Sequence, residues 1–338
     1  MPEIPSPADL RCLFREAYHW LCRSRKKHPP ASNIWDFRRS WAAQAESLME
    51  AFRRGNYRLS LQKKVTLRDG EAVALWSSAD ALVIKVLTRI LQARLQPLLS
   101  PHCYHLKGHG GLKGAVREVI KVLPRYRFFC KTDVRSYYDS IDHYTLLLQA
   151  HEHIRDRTLM GYLWQFLNRC VEWGGLYQDV RRGIPRGAAL SPLLGALYLR
   201  ALDRRLAGLG VKYFRYMDDI LILAETRWKL KQAIRVLNRT LGDLKLAKHP
   251  DKTAMGRVKR GFDFLGYHFT PTGLSLATQT LAHCAGKALR LYEQEPPPLR
   301  VRRLGEYLRR WHGWAISGEL AGALADVGGC AAISPIGF

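Results

Sequence analysis

Three carboxylates occupy places where a globular chain does not ordinarily leave them unattended. Asp133 closes the short apolar run 128–134, and Asp218 with Asp219 stands at the tip of the hairpin pattern KYFRYMDDILILA over 212–224. Acids in such surroundings are costly unless something neutralises them: either they lie exposed at strand ends or they hold a cation. Hard divalent cations want oxygen ligands, and Mg2+ commonly uses one or two carboxylates together with substrate phosphates. Two such ions about 3.5–4 Å apart can activate a hydroxyl nucleophile and stabilise a leaving pyrophosphate. Taken alone, Asp-Asp at a hairpin tip is more often plain turn chemistry, so the weighing rests on its neighbours.

Strands must hold these acids, and helices must flank the strands. Helix-period apolar positions run through 7–27 (Leu10, Leu13, Phe14, Ala17, Leu21) and 34–54 (Trp41, Ala45, Leu48, Phe52). A further helix is expected over 78–99, from Ser78 as N-cap to Leu99 ahead of Pro101. The glycine-rich loop GHGGLKG at 108–114 leads into a helix ending near Leu123; as a lone glycine-rich loop it reads first as a flexible connection. Residues 156–173 and 191–207 read as helices, the second after the loop RRGIPRG, and 226–242 as a basic helix. Short strands are expected around 262–269, and the last 60 residues are expected to be helical, broken at Pro296-Pro297-Pro298. Strands between helices give an α+β or α/β class.

Composition bounds the partners. The chain has 338 residues, 54 Lys+Arg against 29 Asp+Glu, a formal charge of +25 and 47% hydrophobic residues, so it holds apolar mass for a core and, on charge, suits a polyanion, nucleic acid above all, with a merely basic soluble protein as the alternative. The length suggests two domains or one lobed domain. No stretch approaches the roughly 18 apolar residues of a membrane-spanning helix, and no basic region followed by an apolar core opens the chain. The seven cysteines are scattered with no Cys-x-x-Cys pair, so neither a zinc site nor a disulfide framework is expected and a cytoplasmic setting is. His102, Cys103 and His105 lie close together but read as a loop, there being no second cluster.

The acids have neighbours of a particular kind. FFCKTDVRSYYDSIDH (128–143) resembles the first catalytic motif of reverse transcriptases, RGIPRGAALSPLLGALYL (182–199) the second and YMDD (216–219) the third. LAKHPDKT (246–253) resembles the fourth and FDFLGY (262–267) the fifth, all in order over roughly 55–270. The likeness is to bacterial enzymes of the group II intron, retron and defence-associated kind. It implies a right-hand polymerase: a helical extension over 1–54, fingers over 55–131, a palm of antiparallel sheet and helices over 132–270, and a helical thumb and tail over 271–338. It implies an RNA template, a DNA or RNA primer, dNTPs, a dedicated non-coding RNA in some relatives, and two Mg2+ ions with Mn2+ as the substitute. No membrane partner is implied, and the oligomeric state stays open.

By the resemblance, Asp133 and Asp218 ligate both metals and Asp219 assists or shapes the hairpin. Tyr138 matches the steric gate that crowds a ribose 2′-hydroxyl; Lys252 matches the lysine beside the pyrophosphate. Phe264, Leu265 and Gly266 match the primer grip, and Gly187 and Ser191 lie beneath the templating base pair. Lys64 and Arg68 stand where basic fingers residues hold the triphosphate. The chain departs from the usual Pro-Gln-Gly: it has Pro185-Arg186-Gly187, which puts base positioning and substrate choice in doubt while offering a planar phosphate contact. Arg303, Tyr307, Arg310 and Trp314 form a helical stripe suited to a backbone or to core packing. Neither a nuclease tail nor a ribonuclease H acid set is expected. The charge divides accordingly: residues 53–131 hold 16 basic and 4 acidic side chains and 226–261 hold 11 and 2, whereas 132–225 hold 12 and 11. The leading expectation is an RNA-directed DNA polymerase. The alternatives are a template-independent or protein-primed DNA polymerase of a defence system, and a non-catalytic RNA-binding or splicing factor.

Overall fold

The computed structural model describes residues 4–66, 72–294 and 296–317. Its strands are β1 (Gln62–Thr66), β2 (Ala72–Leu75), β3 (Phe128–Thr132), β4 (Cys170–Trp173), β5 (Leu176–Asp179), β6 (Lys212–Tyr216), β7 (Asp219–Ala224), β8 (Ala254–Arg257), β9 (Phe262–Phe264), β10 (Tyr267–Thr270) and β11 (Gly273–Leu276). The chain divides into two compact units, one of residues up to 100, 134–202 and 239–247, the other of 101–133, 203–238 and 248 onward.

In the first unit, Leu10, Phe14, Ala17 and Leu21 recur every three or four residues and are buried on one face of the helix Pro7–Ser24. That face packs on the helix Ser78–Leu95, each large apolar side chain contributing about 1.5–3 kcal/mol. The cap of the second helix is Ser77 rather than Ser78: the Ser77 hydroxyl accepts from the Asp80 amide at 3.1 Å. Buried Asp80 takes further hydrogen bonds from Tyr57, Ser60 and Ser77, which satisfies its charge inside the unit. The unit's sheet has the order β2-β1-β4-β5, with β1 and β4 parallel and the outer pairs antiparallel.

The expected helix over 156–173 does not run its whole length. It ends at Leu167, and Cys170–Trp173 and Leu176–Asp179 form a hairpin instead. Gly174 and Gly175 both have positive φ, +60° and +83°, the requirement of a tight hairpin turn whose twist matches its strands. The apolar period carried across Asn168, but the glycine pair and the β-favouring Val171 and Trp173 decide the segment. Strands β1, β2, β8 and β11 likewise have no counterpart among the sequence expectations.

The second unit is built on the sheet β6-β7-β3-β8, all antiparallel. Its inner strand β7 is apolar from Ile220 to Ala224 and entirely buried there, as expected of a strand covered on both faces. The helix Gly111–Val122 lays Ala115, Val116 and Val119 into the same core. A second sheet, β11-β10-β9, adds Phe262, Phe264, Tyr267, Phe269 and Leu274, and Ala315 of the helix Pro297–Ile316 closes the cluster. That helix begins at the proline run, as expected. None of the described helices is long and apolar enough to cross a membrane.

Candidate active site

The acids meet in the second unit. Strands β3 and β7 pair antiparallel, with Thr132 opposite Ile220. One step further along that register lie Asp133 and Asp219. The turn between β6 and β7 is Met217-Asp218, and Asp219 is already the first residue of β7, paired with Tyr216. The expected tip at Asp218-Asp219 is thus displaced by one residue, because Met217 takes the left-handed conformation at φ +56°. A non-glycine residue there costs roughly 1–2 kcal/mol, which the surroundings must offset.

The electrostatics are those of crowded acids. Burial, reinforced by Asp133 and Asp219, pushes Asp218 up to about 6. Burial and Asp133 also raise Asp219, which Lys131 and Lys252 partly offset. Asp133 Oδ1 is buried with no hydrogen-bond partner, while Oδ2 takes the Lys252 ammonium at 2.5 Å. That contact raises the Lys252 pKa. The segment carrying Lys252 is pinned beside the strand: the His249 amide donates to the Asp133 carbonyl at 2.8 Å, and Thr253 and Thr132 hydroxyls meet at 2.8 Å. A buried unpaired carboxylate oxygen, two neighbouring acids and one competing ammonium make a locus that favours added positive charge. Among the described residues, no three His, Cys, Asp or Glu side chains converge closely enough to hold an ion as placed.

The remaining motif of this unit is the turn between β9 and β10. Leu265 and Gly266 both have positive φ, +49° and +87°. A Cβ on Gly266 would lie 3.2 Å from the Trp314 ring and 3.3 Å from the Thr280 hydroxyl, so only glycine fits without displacement. Phe264 is buried in the core rather than presented outward. Trp314 packs here too, so its place in the sequence stripe is explained by the core; Lys113 reaches the Tyr267 hydroxyl and the Trp314 carbonyl.

The other expected residues lie in the first unit. Half-buried Tyr138 follows Tyr137, whose hydroxyl donates to the Gly195 carbonyl at 2.5 Å. A Cβ on Gly195 would be 3.3 Å from both rings, so the small residue lets the helix pass beneath them. The Gly183 amide donates to the Ile141 carbonyl and the Ile184 amide to the Tyr138 carbonyl, each at 2.8 Å. Arg186 is exposed and ion-paired to Asp139 at 2.6 Å. Gly187, at φ +75°, follows it in the open. Ser191 is wholly buried, and its hydroxyl donates to the Pro185 carbonyl at 2.5 Å; it braces the loop rather than facing a ligand. Lys64 rests over the Trp173 ring at 3.9 Å. Lys64 and Arg186 line one cavity of about 510 Å3 with Arg169, Gln62 and Trp173. Arg68 lies outside the described residues.

Two groups near the acids hold places the sequence reading does not give them: Arg215 is not singled out by it, and His105 reads only as part of a loop. Arg215 has no exposed surface, and its guanidinium is held bidentately by Asp203. His105 accepts a hydrogen bond from the Met217 amide at 2.9 Å. A charged residue at an inward position of the strand 212–216 is the one signal that could have exposed the first pair.

The family profile described as reverse transcriptase (RNA-dependent DNA polymerase) matches residues 78–269. Protein YkfC of Escherichia coli K12 is 24% identical over 271 residues, 67% of this chain and 71% of that protein. The group II intron-encoded protein LtrA of Lactococcus lactis is 26% identical over 136 residues, 40% of this chain and 23% of its own length. A solved structure of telomerase from Candida albicans, in complex with a fragment of telomeric RNA, has a TM-score of 0.54 at 12% identity, covering 80% of this chain and 57% of that one. That likeness is one of fold.

Proposed function

The chain belongs to the reverse transcriptase (RNA-dependent DNA polymerase) family and is an RNA-directed DNA polymerase, and we propose that Asp133, Asp218 and Asp219 carry its chemistry by holding two divalent metal ions. The observation that carries this reading is the buried, unpartnered Asp133 Oδ1 beside an acid raised to about 6 by burial and by its neighbours. Hard oxygen donors of this kind suit Mg2+, with Mn2+ as the substitute. When bound, such ions supply Lewis acidity at the primer 3′-hydroxyl and at the leaving pyrophosphate.

The chain's own residues supply the rest. Lys252, whose ammonium stays charged beside Asp133, neutralises or protonates the departing pyrophosphate. The Tyr138 ring crowds a ribose 2′-hydroxyl and so favours dNTP over rNTP. Lys64 and Arg186 offer positive charge to nucleotide phosphates; Arg186 does so as a planar fork in a position where the family usually has an amide. Leu265 and Gly266 present backbone at a turn that only a small residue permits, which suits close approach of a primer strand. An RNA template and a primer are the macromolecular substrates.

The test is extension of a labelled DNA primer annealed to an RNA template, with dNTPs and Mg2+. Templated products in the presence of dNTPs and their absence with rNTPs are expected. Equal products with the template omitted would replace this reading by untemplated synthesis. Tight RNA binding without incorporation, under varied primers and both metals, would replace it by a binding factor.

A further inference from the structure

The turn that carries Asp218 is not held by its own hydrogen bonds alone. Residues 102–104 run beside β6 as a short parallel extension of the sheet: Cys103 bridges Arg215, the Tyr104 amide donates to the Arg215 carbonyl at 2.8 Å, and the Arg215 amide donates to the His102 carbonyl at 2.9 Å. This pairing delivers His105, the next residue, to the strained Met217. There the Met217 amide donates to His105 Nδ1 at 2.9 Å, and the Met217 carbonyl accepts from Arg215 Nη1 at 3.2 Å. Both polar groups of the residue preceding Asp218 are therefore taken by side chains from outside the turn.

Each of those side chains is itself fixed. Arg215 is anchored by the Asp203 carboxylate at Nε and Nη2, and both residues are buried. The His105 ring stands edge-on to Tyr216, with centroids 6.0 Å apart and planes at 72°. Because Nδ1 accepts, the ring proton resides on Nε2. Buried Cys103 Sγ lies 3.5 Å from the same Nδ1, and burial pushes that thiol up to about 12, so it stays a thiol.

We infer that His105 is a positioning residue for the polymerase reaction: it clamps the left-handed Met217 from one side while Arg215 clamps it from the other, and so fixes the direction in which the Asp218 carboxylate leaves the turn. Without the clamp, Met217 relaxes toward the ordinary backbone region and the Asp218 carboxylate no longer leaves the turn in a fixed direction. The inference rests on the reading of Asp218 as a metal-holding acid, and it predicts a defect in metal capture and turnover rather than in nucleotide binding.

The experiment compares the wild type, His105→Ala, His105→Asn and Asp218→Ala as full chains. Asparagine places its Oδ1 acceptor where the histidine has Nδ1, so it restores the hydrogen bond without the ring. Binding of Mn2+ alone is followed by the electron paramagnetic resonance of the free ion; single-nucleotide extension gives kcat and the dNTP KM. His105→Ala is expected to weaken Mn2+ binding and lower kcat by about fivefold each, the effect of one lost net hydrogen bond, with KM unchanged within about twofold. His105→Asn is expected to recover most of both. Wild-type Mn2+ affinity in His105→Ala overturns the inference, as does a His105→Asn variant as defective as His105→Ala. Wild-type affinity in Asp218→Ala would instead remove the metal-site reading, and the inference with it.

Discussion

Asp203→Leu is expected to destabilise the chain sharply, and Asp203→Leu combined with Arg215→Met to restore most of the loss. Arg215 is 0% exposed and Asp203 1%, so removing the carboxylate strands a guanidinium in the interior with its Nε and Nη2 donors unmatched. Breaking a buried pair from one side costs about 3–5 kcal/mol, whereas replacing both members by apolar groups of similar size is about neutral. If the 338-residue chain melts cooperatively, the single substitution lowers Tm by about 4–7 °C. Calorimetric melting of the wild type, both single variants and the double variant gives the cycle directly. The double variant should still extend primers about fivefold more slowly, because it lacks the Arg215 hydrogen bond to the Met217 carbonyl. A single variant within about 1 kcal/mol of the wild type, or a double variant no more stable than Asp203→Leu, would show that the buried pair does not carry this cost.

Three further outcomes follow from the site. Tyr138→Val should raise incorporation of rNTP relative to dNTP by about tenfold in competition assays, since the ring is the proposed steric filter; an unchanged ratio places the filter elsewhere. Gly183→Ala should lower stability by about 2–4 kcal/mol in denaturant titration, because a Cβ there would stand 2.9 Å from Asp139 Cα and from the Tyr138 carbonyl at a φ of +85°. Finally, Asp218 is raised from 3.8 to about 6, chiefly by burial; the folded state therefore favours its protonated form, and the stability this lends is full below pH 3.8 and lost as pH rises through about 6. Mg2+ held by the ionised acid should then raise Tm at about pH 7.5 and scarcely at about pH 4.5.

Features fixed by local sequence were legible in it, and those made by distant contacts were not. Asp133 and Asp218 were legible because each sits at the end of a short apolar strand, and the strand pattern 212–224 folds as the hairpin it suggests. The helix 7–24 was legible from its apolar period. The segment 168–173 was not legible as strand because its apolar period continues that of the preceding helix, while the paired glycines that turn β4 into β5 lie beyond it. The strand β11, GLSL, was too short to stand out from its flanks. His105 and Arg215 were legible as residues but not as neighbours: the Met217 amide meets a ring 112 positions away in the chain, and only the parallel bridge at Cys103 brings it there. Arg186 could be read as a departure from the family pattern, whereas its ion pair with Asp139, 47 positions away, arises only from the fold.

The central claim is that an ionised carboxylate at position 218 carries DNA synthesis on an RNA template. Asp218→Asn keeps the shape of the side chain and removes its charge, so it isolates that claim from folding. Mg2+-dependent extension of a primer on an RNA template, wild type beside Asp218→Asn at equal melting temperature, is the most direct measurement. Robust extension by the wild type is expected, with a loss of about a thousandfold or more in the variant, the scale of losing a central electrostatic element of catalysis. Extension by Asp218→Asn at the wild-type rate would contradict that claim.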